Sequence, residues 1–116
     1  MSIIRRDRDL ARFGSCTKNA AMPATYVVVA SNVTDSGKLD EYVAKVIPTL
    51  SECEVLVVDG EAKTEEGDPR HRVVVLRFPS EESARKWYDS DEYRAIKQLR
   101  LDATSDGFLA FAKGLA

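Results

Sequence analysis

An α+β fold, with one antiparallel sheet and its helices on one face, is the architecture this sequence predicts. Three observations predict it. Strand-like and helix-like segments alternate in the order β-α-β-β-α-β, a pattern that closes a sheet with helices to one side. The candidate strand at residues 71–78 has two faces of unlike chemistry. The run from Arg77 to Tyr93 joins a strand end to two successive helix starts.

The elements follow in order. Thr25 to Asn32 is β-branched and aromatic, with apolar residues on both faces in its middle, as in a strand buried on two sides. Thr34-Asp35-Ser36-Gly37 supplies a turn and a helix cap. Leu39, Tyr42, Val43, Val46, Ile47 and Leu50 then recur at the spacing of one helical face. Pro48 should end or bend this helix in its last turn. Val55 to Val58 is a short strand stopped by Asp59-Gly60, and residues 61–69 form a polar connection. On the third strand Arg72, Val74, Leu76 and Phe78 share one face, suited to lie under helices. His71, Val73, Val75 and Arg77 share the other, apolar in its middle and charged at its ends.

Pro79 cannot donate to a ladder and stops the strand. Ser80 can cap a helix whose first turn holds Glu81 and Glu82, and Ser90 can cap a second beginning with Asp91 and Glu92. Ala84, Trp87 and Tyr88 lie on one side of the first piece, while Tyr93, Ile96 and Leu99 continue in the second. Gly107 precedes a last strand at residues 108–112. This order is the ferredoxin-like βαββαβ unit. Its second sheet face needs a cover, because apolar area left in water costs roughly 25 cal/mol per Å². Two copies packed face to face about a two-fold axis provide one, so a homodimer is expected.

Composition bounds the rest. The 116 residues make one domain at 23–116, with an N-terminal arm or extension at 1–22 rich in arginine and without sustained apolar period. That arm is expected either frayed or packed on a neighbouring subunit. A net charge of −2 argues against nucleic acid or an anionic membrane surface as partner. No apolar run is long enough to span a bilayer, and residues 1–9 lack the apolar stretch of a secretory signal, so a cytoplasmic location is expected. Cys16 and Cys53 are the only cysteines, expected as free thiols in that compartment. With one histidine and scattered carboxylates there is no metal-ligand spacing, and no glycine-rich phosphate loop or dinucleotide fingerprint is present. An enzyme built on this chain is expected to work without a tightly bound cofactor.

Several residues carry a family resemblance. Glu66-Gly67 ahead of a strand, then Phe78-Pro79-Ser80, Ala84, Trp87-Tyr88, Ser90, Glu92-Tyr93 and Arg100, resemble the domain-of-unknown-function family 1330. That family belongs with the dimeric α/β-barrel group of ferredoxin-like proteins, and the resemblance covers about residues 24–114. Members often carry a Gly-Gly pair before the second strand, where this chain has Glu52-Cys53-Glu54. The resemblance implies a dimeric α/β barrel without implying one activity. Structural relatives include cofactor-independent monooxygenases, small isomerases and lyases, and ligand-binding proteins, and fold alone does not choose among them.

His71, the only histidine, is the candidate acid or base, since imidazole alone titrates near neutrality unaided. Glu66 in the preceding loop is its nearest candidate orienting partner. A solvated histidine at a strand end reads the same way. Trp87 and Tyr93 are candidate ligand-binding aromatics, and their helical spacing equally suits core packing. Arg100 interrupts the apolar pair Leu99 and Leu101, and a guanidinium can hold a substrate carboxylate or pair with an internal Asp or Glu. Two functions follow: a cofactor-independent enzyme on a small organic metabolite, or a non-catalytic ligand-binding or assembly module. A closed pocket joining His71, Arg100 and a tyrosine hydroxyl favours the first.

Overall fold

A computed structural model describes residues 23–115 of the chain. The expectations for residues 1–22, Cys16 included, lie outside these described residues. The elements are β1 (Thr25–Val33), α1 (Ser36–Val46), a 3₁₀ turn at Ile47–Thr49, β2 (Glu54–Asp59), β3 (Arg72–Phe78), α2 (Glu81–Tyr88), α3 (Asp91–Ala103) and β4 (Thr104–Lys113). The strand order is β2-β3-β1-β4, and each neighbouring pair is antiparallel. β1 and β2 therefore run parallel with β3 between them, and β3 and β4 run parallel with β1 between them. Two split βαβ units interleave, which is the ferredoxin-like fold.

The helix starts are where the local chemistry places them. Asp35 Oδ1 accepts from the Lys38 N–H at 3.0 Å, Ser80 Oγ from Ser83 at 3.1 Å, and Ser90 Oγ from Tyr93 at 3.2 Å. Each bond satisfies a donor that the first helical turn leaves without a partner. Ser90 also donates to the Trp87 carbonyl at 2.7 Å, so one side chain closes α2 and opens α3. Pro48 sits in the 3₁₀ turn that ends α1.

β4 departs from expectation by starting at Thr104, directly after α3, instead of at residue 108. Gly107 lies inside the strand. The β1–β4 register shifts between Ala30 and Asn32, and Asp106 takes a positive φ of 54°, the marks of a bulge. A Cβ on Gly107 would lie 2.9 Å from Ser31 Cβ and 3.2 Å from the Ala30 carbonyl oxygen. Glycine is there for close backbone approach, a need that depends on the partner strand.

The register sorts the strand residues into rows. Val55, Leu76, Val27 and Phe111 align across the sheet, as do Val58, Val74, Val29 and Leu109. Val27 and Leu76 in these rows are buried under the helices with Tyr42, Trp87 and Tyr93. The opposite face carries the row Val57, Val75, Val28 and Ala110. β2 is one of the two edge strands, and all six of its residues are exposed. Val58 is 59% exposed although it belongs to a helix-side row, because the helical layer does not reach across the outer strand.

Candidate functional site

Between sheet and helices lies a cavity of about 350 Å³. α1 brings Leu39, Tyr42 and Val46 to it, and α3 brings Tyr93 and Arg100. The last two are seven residues apart, two helical turns, and so share a face. β1 contributes Val29 and Ser31, and β3 contributes Arg72, Val74 and Leu76. Ser31 and Arg72 are paired across the two strands. Exposed Ile47, Val55 and Val58 also line the cavity and mark its rim between α1 and β2.

One end of the cavity is polar. Arg100 Nε donates to Tyr93 Oη at 3.1 Å, and Tyr93 Oη lies 3.0 Å from Tyr42 Oη. Within the tyrosine pair one hydroxyl donates to the other, which leaves one phenolic hydrogen unused by the pair. The Tyr93 ring is fully buried, with its centroid 4.3 Å from that of Trp87 and 5.5 Å from that of Tyr88. Burial holds the Tyr42 phenol well above its ordinary pKa, and Tyr93 adds to this by charge and hydrogen bond. Arg100 and Arg72 pull the other way, so both guanidiniums stand close enough to act on Tyr42. Burial also lowers the pKa of Arg72, partly offset by Tyr42.

Arg100 is only 8% exposed. The ion pairs among the described residues are Lys45–Glu41 and Arg77–Glu54, so neither Arg100 nor Arg72 meets a carboxylate there. The internal ion pair considered for Arg100 is thus not formed among the described residues; its side chain donates instead to the neutral Tyr93 hydroxyl.

His71 stands elsewhere, just before β3 and outside the cavity lining. Its Nε2 accepts from the Val33 N–H at 3.1 Å, its own N–H donates to Asn32 Oδ1 at 3.1 Å, and its carbonyl accepts from Ala62 at 2.8 Å. Asn32 Nδ2 in turn donates to the Pro69 carbonyl at 3.0 Å. The imidazole thereby fastens the 60–71 connection to the end of β1. Glu66 is exposed in that connection, with no hydrogen bond to His71 among the described residues, and Gly67 beside it takes φ 94°, which suits glycine at a turn. Tyr93, Arg100 and Trp87 are therefore brought together, and His71 and Glu66 are not brought to them.

Tyr42, Arg72 and Ser31 join the site without having been singled out as candidates. Tyr42 reads as one more apolar position of α1. Arg72 did carry a signal, as a charge on a strand face otherwise made of Val74, Leu76 and Phe78. Trp87 packs 5.4 Å from the Phe78 ring and donates Nε1–H to Thr49 Oγ1 at 3.0 Å. It thus separates the cavity from a second, polar cleft of about 340 Å³ that includes Glu52, Ser83 and Lys86. Cys53 is a free thiol whose pKa is raised by burial and then by Glu54. Among the described residues no group of three or more His, Cys, Asp or Glu could hold a metal, and no helix is long and apolar enough to cross a membrane.

A family model for a domain of unknown function, DUF1330, matches residues 24–114. The chain belongs to the DUF1330 family. None of the curated proteins compared with it matches. Among solved structures, this DUF1330 chain is similar to a protein of unknown function from Rhodopseudomonas palustris, at TM-score 0.70 and 15% identity, covering 91% of this chain and 93% of that one. It is also similar to a dimeric ferredoxin-like protein of unknown function from Thermobifida fusca, at TM-score 0.55 and 12% identity over 79% and 92% of the two chains. A candidate antibiotic biosynthesis monooxygenase from Caulobacter crescentus matches at TM-score 0.57 and 11% identity over 88% and 99%. At these identities the likeness is one of fold.

Proposed function

We propose that this DUF1330 chain binds a small organic metabolite in the cavity between sheet and helices, and does so as a homodimer. The observation that carries the reading is a buried arginine, Arg100, at the polar end of a largely apolar cavity, with no carboxylate partner among the described residues. A cation kept out of water without an anion is costly, and a ligand that completes it accounts for its retention. A thermal-shift screen of neutral, cationic and anionic small organic compounds tests this. Raised melting temperatures for one chemical group are expected, and no shift with any compound would sink the reading.

Enzyme and binding module remain distinct forms of the same proposal. The likeness to a candidate monooxygenase supports the first, as a cofactor-independent monooxygenase, isomerase or lyase. The cavity lining supports the second: it includes no carboxylate, imidazole, amine or thiol among the described residues. Its hydroxyls and guanidiniums can orient a ligand and stabilise negative charge on it. A proton acceptor such as His71 or Glu66 would have to act from outside.

The dimer rests on the sheet face away from the helices, where the row Val57, Val75, Val28 and Ala110 runs beside the half-exposed Phe108. The dimeric Thermobifida fusca neighbour supports the same assembly. Val28 lies on a central strand, so Val28→Glu should convert a dimer to a monomer in sedimentation at micromolar concentration. A wild-type chain that already sediments as a monomer removes the dimer.

A further inference from the structure

We propose that the ligand of the cavity is a small monocarboxylate with an apolar body, its carboxylate held between Arg100 and Arg72 and hydrogen-bonded by the Tyr42–Tyr93 pair. This deepens the binding reading above and rests on it. The geometry narrows the class in four ways. First, the two positive side chains lining the cavity face no negative one in its lining, so the site carries uncompensated positive charge. Second, Arg100 Nε is committed to Tyr93 at 3.1 Å, and no protein partner among the described residues takes its two Nη atoms. The Nη edge is the part of a guanidinium that meets a carboxylate with parallel hydrogen bonds.

Third, Ser31 is 3% exposed, lines the cavity beside Arg72, and its hydroxyl makes no hydrogen bond to the described residues. It supplies a further donor at the polar end, together with the phenolic hydrogen that the tyrosine pair leaves unused. Tyr42 is held in its protonated form by burial, so it donates to an anion and does not repel it. Fourth, the remaining wall, including Leu39, Val46, Val74, Leu76 and Leu109 with Trp87, is apolar apart from Thr104. The volume of about 350 Å³ falls at the small end of the ~300–1,000 Å³ typical of ligand pockets. That suits a single ring or a short chain.

A phosphate head fits less well. Phosphate sites draw on backbone N–H groups from glycine-rich turns or helix N-termini, and no glycine lines this cavity. A dicarboxylate would place its second charge against largely apolar walls.

The test is calorimetric titration of the full chain with matched probes: benzoate, phenylacetate and hexanoate, their neutral amides, and phenyl phosphate. The acids are expected to bind at least about tenfold more tightly than their amides, a charge-assisted hydrogen-bond difference. Arg100→Met and Arg72→Met should each erase that preference, the acids losing about tenfold more affinity than the amides. Arg72 is only half-buried, so its variant keeps the test decisive if Arg100→Met fails to fold. Equal binding of acid and amide overturns the carboxylate class and leaves the small-molecule cavity standing, and so does tighter binding of phenyl phosphate. Absence of binding by every probe, charged or neutral, overturns both.

Discussion

Replacing Tyr93 with alanine is expected to lower the stability of the fold by about 3–5 kcal/mol, the cost of deleting a buried aromatic ring and leaving its space. The residue has no exposed surface and packs against Trp87, Tyr88 and Tyr42 at centroid distances of 4.3, 5.5 and 6.3 Å. For a domain whose whole stability is of order 5–15 kcal/mol, that loss is a large share. Urea denaturation of the purified variant measures it. Tyr93→Phe separates ring from hydroxyl: it keeps the packing and takes away the acceptor of Arg100 Nε and the partner of Tyr42. Its expected cost is about 1–3 kcal/mol, since a buried guanidinium N–H loses its acceptor. A loss as large as that of the alanine variant would show that the hydroxyl network, and not the ring, holds the core together.

Arg100→Met is expected to move stability the other way, raising it in the absence of ligand by on the order of 1 kcal/mol, because a desolvated charge with no carboxylate partner gives way to an apolar side chain. The methionine fills the same space along α3. The desolvated charge disappears, and Tyr93 retains Tyr42 as its hydrogen-bond partner. Stability gained by removing a charge marks a residue kept for a purpose other than folding. A clear drop in stability in the same denaturation experiment would make the guanidinium a structural member of the core. The two variants therefore separate the packing of the Tyr93 ring from the recognition proposed for Arg100.

Much of the fold was legible in local chemistry. Asp35, Ser80 and Ser90 cap their helices because an N-cap needs only a short side-chain oxygen and the N–H groups two or three residues on. The faces of β3 followed from alternation alone, with Leu76 and Phe78 buried under the helices. The early start of β4 was not legible. Gly107 reads locally as a boundary, and only the Ser31 and Ala30 backbone beside it shows why a strand passes through it. The exposure of β2 was hidden for the same kind of reason. Val55 to Val58 has the composition of a buried strand, and its place at the sheet edge is a property of topology.

The candidate site divides along the same line. Arg100 and Tyr93 could be picked out by residue type and helical spacing, because both belong to one helix and two turns bring them to one face. Tyr42 could not, since the contact that gives it a role spans 51 residues of sequence. His71 shows the converse. Its residue type invites an acid–base role, and the tertiary structure gives its Nε2 to the Val33 N–H instead of the cavity.

By itself, then, the sequence determined the order of the elements, the helix caps, the apolar face of β3 and the family to which the chain belongs, because these rest on contacts within a few residues, on periodicity or on motif residues. Only the tertiary structure decided which polar groups share the cavity. Strand register, the β1–β4 bulge and the packing of α1 against α3 set the positions of Ser31, Arg72, Tyr42 and Arg100 relative to one another. No local pattern carries a distance between segments that the folded chain alone brings together.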